Sequence, residues 1–146
     1  MPDLTLFHTA DVHVATFDAL APTARLSHVV RPDWLARAQG GIGPDLKLEI
    51  THAIQAATGP VLCSCTTIGE AAEEAGATRI DWPMMQRAAQ TAAAAGGPVL
   101  LVYCLDSTKE PSTALLERAF AQLDAGPIIH PLPLSDLWPL FEAGDR

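Results

Sequence analysis

Short runs of apolar and β-branched residues recur along this chain, each followed by a polar corner and then by an amphipathic segment. Parallel strands must be joined by crossovers of a dozen or more residues, usually helical. The rhythm therefore predicts βα units and an α/β fold on a mostly parallel sheet. Five or six strands are expected: Leu4 to Thr9, Leu26 to Val30, Val61 to Cys65, a short piece around Arg79 to Asp81, Val99 to Cys104, and Ile128 to Leu132. The unbroken apolar run Val99 to Cys104 reads as a central strand covered on both faces.

The helices announce themselves through caps and spacing. Asp11 is placed to cap a helix with Val14, Phe17 and Ala21 inward, stopped by Pro22. Gly40, Gly41, Gly43 and Pro44 read as a linker, after which Asp45 caps a helix showing Leu46, Ile50, Ala53, Ile54 and Ala57 at helical spacing. Thr67-Ile68-Gly69-Glu70 fits the capping box and predicts a helix to about Gly76. Pro83 opens an alanine-rich helix closed by Gly96-Gly97, and Pro111 opens another. Ser135 to Ala143 reads as a short apolar helix carrying Leu137, Trp138, Leu140 and Phe141. A chain of 146 residues with no repeat, low-complexity stretch or linker between domains is read as a single α/β unit, 1–146.

Charge narrows the partners. The formal net charge is −8 with only nine Lys and Arg, so a phosphate backbone would find few cations and nucleic acid is not expected. The longest apolar stretch, Pro98 to Leu105, is too short for a bilayer, so no membrane span is expected. The start Met1-Pro2-Asp3-Leu4-Thr5 lacks the basic and long apolar regions of a secretory signal, which predicts a cytoplasmic protein with reduced thiols.

Chemistry concentrates at three corners: His8-Thr9, Cys63-Ser64-Cys65-Thr66-Thr67, and Cys104-Leu105-Asp106-Ser107-Thr108. In one parallel sheet such strand ends share an edge, where ligands of open α/β sheets bind. Cys65 is the expected catalytic residue, a thiol before a predicted helix start where amide N–H groups favour the thiolate as base or nucleophile. Cys63, two residues earlier on the same face, reads as a buried small hydrophobe. His8 is expected to face a ligand, whereas His13, His28, His52 and His130 read as surface or structural. Cys63, Cys65 and Cys104 with a histidine could number four zinc ligands, but Cys-x-Cys does not match the usual spacing and no metal is expected. A dithiol redox role for Cys63 and Cys65 is weak, since neighbours two apart in a strand lack disulfide geometry. No GxGxxG, Walker loop or G-x-S-x-G elbow is present, which leaves nucleotide binding and elbow-type serine hydrolysis without a motif.

Leu6 to Val14, Val61 to Gly69 and Val102 to Thr108 together resemble the successive motifs of the aspartate/glutamate/hydantoin racemase superfamily, which includes arylmalonate decarboxylase. The resemblance implies two pseudo-symmetric α/β halves, here about 1–97 and the start of a second from 98, with a cleft between them. It implies proton transfer next to a carboxylate without a cofactor. Cys65 is similar to the family's first catalytic cysteine. Thr66 and Thr67, with His8 and Thr9, would hold the substrate carboxylate and stabilise enediolate charge, and Cys104, Ser107 and Thr108 would line the second binding corner. Two-base members draw a second cysteine from a later strand, which this chain does not reach, so an incomplete second half is expected. The resemblance thus implies a cysteine-dependent isomerase or decarboxylase. The alternative is a catalytically incomplete carboxylate-binding or assembly subunit, homo-oligomeric through an exposed sheet edge or the Trp138 to Phe141 tail.

Overall fold

The structure, a computed structural model, describes residues 1–145. It has six strands and seven α-helices in the alternating order that the rhythm predicts, and every strand pair is parallel. The strands form two sheets. β1 (Leu4–His8), β2 (Leu26–Val30), β3 (Val61–Cys63) and β4 (Thr78–Arg79) form a four-stranded sheet in the order β2-β1-β3-β4, and β5 (Val99–Tyr103) pairs only with β6 (Ile129–Pro133). The chain divides into two compact units, one of residues Met1–Ile80 with the C-terminal residues from Pro139, the other Asp81–Trp138.

In the first unit the register sorts side chains by face. Leu6 pairs with both His28 and Leu62, while Phe7 pairs with Val29 and Cys63, so odd and even positions of β1 look to opposite sides. The Phe7 side is the core: Phe7, Trp34, Ile50, Ile68 and Cys63 are all nearly inaccessible and pack under α2 (Pro32–Arg37), α3 (Pro44–Ala56) and α4 (Gly69–Glu74). The other side carries Leu6 and His8, which meets Phe17 of α1 (Val12–Leu20).

Several local expectations are corrected. The stretch before Pro44 is not only a linker: α2 forms there, with Pro32 in its first turn, Asp33 beside it and Arg37 in its last turn. Asp11 and Asp45 do not cap. Asp11 is helical, at φ −65° and ψ −29°, and makes no capping bond, because an N-cap side chain reaches the amides from extended backbone; Asp45 lies inside the first turn of α3 behind Gly43. The Thr67–Glu70 spacing falls one residue out of register, since Ile68 holds the N-cap position of α4, a helix of only six residues. Pro111 lies inside α6 (Asp106–Ala121) rather than at its start. Lacking an N–H, it leaves the Ser107 carbonyl without the usual bond from four residues on.

In the second unit α5 (Trp82–Ala95) and α6 cover one face of the small sheet, with Leu101 against Met85, Ala89, Leu116 and Phe120. α5 ends at Gly96 in the left-handed conformation, φ 64°, as its sequence predicts. β5 is not the covered central strand expected from its composition. Leu100 is 60% exposed and Val102 50%, because only one partner strand and one helical layer reach it. The tail forms a short 3-10 turn, Ser135–Leu137, followed by α7 (Trp138–Glu142), and Phe141 packs on His13 with ring centroids 5.5 Å apart.

One glycine is held by packing. A Cβ on Gly69 would stand 2.9 Å from Nε and 3.0 Å from Cζ of Arg79, whose side chain is buried and has little room to retreat. Gly69→Ala should cost about 1–3 kcal/mol of stability, the usual penalty of overpacking, despite the better helix propensity of alanine. A urea titration reads this, and an unchanged or higher midpoint would refute it.

Candidate functional site

The four-stranded sheet changes direction at β1. The chain places β2 on one side of it and then returns to place β3 on the other, so the β1/β3 carboxyl edge is the topological switch point at which open α/β sheets bind ligands. His8 and Thr9 end β1 and Cys65, Thr66 and Thr67 follow β3, so the strand pairing brings the first two predicted corners to the same edge. The third corner is not on this sheet. Cys104, Ser107 and Thr108 follow β5 in the second unit, where the Thr108 hydroxyl and N–H both donate to the Leu105 carbonyl, at 2.7 and 3.0 Å. The expected single edge shared by three corners is thereby corrected to one edge with two corners.

None of the three cysteines is in a disulfide. Cys63 is buried in the core, as expected, and its S–H donates to the Cys65 carbonyl at 3.5 Å. Cys65 is half-buried and packs against the cluster around Phe7 and Trp34. It lies four residues ahead of the first helical residue of α4, so the helix-start position expected for it is not realised. Thr66 is half-buried and Thr67 and Thr9 are buried.

His8 occupies the opposite face and is 1% exposed. Its ring is bonded at both nitrogens: Nδ1 lies 2.6 Å from the Ser64 hydroxyl and Nε2 lies 2.9 Å from Nδ1 of His28. His28 continues the line, with its Nε2 3.1 Å from Oδ1 of Asp18. His13 and Phe17 of α1 stand over the His8 ring, with centroids at 5.6 and 5.3 Å. Burial, with the charges of His13 and His28 nearby, pushes His8 down to about 4 from the ordinary imidazole value, so it is neutral near pH 7. A ligand would meet this histidine through Ser64.

Ser64 lies in the second strand-end corner but is given no role by that reasoning, which also reads His28 as surface or structural and misses Asp18. One signal was present: strand alternation sets Ser64 on the face opposite Cys63 and Cys65, hence beside His8. His28 needs the β1/β2 register as well. Among the described residues, no group of three or more His, Cys, Asp or Glu side chains is placed to hold a metal ion, and no helix is long and apolar enough to cross a membrane. Comparison with family models, curated proteins and solved structures found no match.

Proposed function

We propose that this α/β protein is a cofactor-independent isomerase or decarboxylase in which Cys65 moves a proton on a carbon next to a carboxylate. The observation that carries the reading is the position of Cys65: a free, half-buried thiol on the loop leaving β3, at the switch point of a parallel sheet, followed at once by Thr66 and Thr67. In this reading the thiolate takes the proton. The threonine hydroxyls and nearby backbone amides hold the carboxylate as charge develops on its oxygens, and the same thiol or water returns a proton.

The test is solvent deuterium exchange at the activated carbon of aspartate, glutamate, a hydantoin and an arylmalonate. Exchange is expected with at least one of them, reduced about 100-fold or more in Cys65→Ser. Silence with all four, or exchange that survives the substitution, would discard the proposal.

A second reading, a binding or assembly subunit without turnover, is favoured by one observation. Leu100, Val102 and Leu132 form an apolar face of the β5/β6 sheet that is 40–60% exposed at each residue. Sedimentation showing a stable homo-oligomer, together with carboxylate-induced thermal stabilisation and no exchange, would select it over the first.

A further inference from the structure

We infer that Ser64 is a histidine-activated hydroxyl nucleophile at the end of an Asp18–His28–His8–Ser64 hydrogen-bond relay, and that it accepts acyl groups from small ester substrates. The inference is independent of the thiol reading. It concerns a different atom, on the opposite face of the sheet from the cysteine side chains.

The relay has a direction set by its ends. A carboxylate only accepts, so His28 donates from Nε2 to Asp18 and, when neutral, presents a bare Nδ1. His8 must then donate from Nε2 and keep Nδ1 as an acceptor, which receives the Ser64 hydroxyl proton. The Phe7 carbonyl competes for that proton, but it stands 3.3 Å away against 2.6 Å for the imidazole nitrogen. Nucleophile, base and orienting group are therefore within hydrogen-bond reach in series, the arrangement that activates serine in unrelated folds.

The surroundings hold the parts in place and leave the end open. The Ser64 N–H bonds the Phe7 carbonyl at 3.0 Å, which anchors the serine backbone to β1 beyond the last residue of β3. His8 is clamped between His13, Phe17 and His28 and is closed to solvent, whereas Ser64 is half-buried at the switch-point edge of the sheet. At the far end Asp18 is 59% exposed, so it orients the relay from the surface without burying a net charge.

In the reaction, the Ser64 Oγ forms a bond to the ester carbonyl carbon as its proton passes to His8 Nδ1. Collapse of the tetrahedral adduct breaks the bond to the alkoxide, which leaves with that proton. A water then adds to the acyl carbon in the same way, releasing the carboxylic acid and restoring the serine hydroxyl.

A fluorophosphonate ester tests this on the intact protein without knowledge of the natural ester. Attack forms the Oγ–P bond, breaks P–F, and releases fluoride with the serine proton. Near neutral pH the expected result is one phosphonyl adduct by intact mass, mapped by peptide sequencing to Ser64. Labelling should be about tenfold or more slower in Asp18→Asn, a surface change that spoils the orientation of the relay. No adduct, an adduct on Cys65 or elsewhere, or an Asp18→Asn variant labelled as fast as the parent would each overturn the inference.

Discussion

Lowering the pH from about 7 to about 4 should remove about 3 kcal/mol of folding stability through His8 alone. The imidazole is buried between His13, Phe17 and His28 and is held down to about 4, whereas in the unfolded chain it titrates near the ordinary imidazole value of 6.5. Between those values the unfolded chain binds the extra proton and the native state does not, so stability rises with pH across that window. It is fully present above about 6.5 and lost progressively as pH falls toward 4. The carboxylates of Asp33 and Glu49 act in the same sense but lower down. Their arginine partners hold both below the ordinary carboxylate range, so their contributions are lost only as acid protonates them. Urea denaturation at half-unit pH steps reads the slope. In His8→Gln the slope between pH 6.5 and 5 should largely vanish, and a parent protein equally stable at pH 7 and 5 would contradict the assignment.

Trp34→Ala should be the most damaging single substitution in the first unit, at about 3–5 kcal/mol. The indole is wholly inaccessible and lies parallel to Phe7, centroids 6.0 Å apart, which fastens α2 to β1. Its Nε1–H donates to the Glu49 carboxylate at 3.1 Å, and the Arg31 guanidinium sits 4.5 Å over its face while also pairing with Glu49 and Asp33. Removing the ring opens a cavity and takes a donor from Glu49. Trp34→Phe keeps much of the volume and loses the N–H, so its cost should be smaller, about 1–2 kcal/mol. Equal denaturation midpoints for the two variants would show that the hydrogen bond, not the buried ring, dominates.

The parts of the fold legible in the sequence are those governed by local chemistry. Leu26 to Val30 forms a strand with the expected bounds, the Leu46, Ile50, Ile54 spacing forms the buried face of α3, and Gly96 ends α5. α2 was legible in principle, since Pro32, Asp33 and Arg37 stand where a helix prefers them. Six residues beside three glycines give too little periodicity for a pattern to be recognised. The capping box failed for a related reason: one residue of offset separates a threonine at the N-cap from one just outside it, and the backbone decides between them.

Composition determined the alternation of strand and helix, because β-branched runs and amphipathic spacing are properties of neighbouring residues. Tertiary structure alone decided which strands pair. The apolar run of β5 suits a central strand as well as an edge, and because α5 and α6 cover only the Leu101 face, Leu100 and Val102 on the other face meet water. It also decided that His8, His28 and Ser64 meet. They are 20 and 56 residues apart from His8 in the chain, and parallel register, which no local preference encodes, sets them on one face within hydrogen-bond reach.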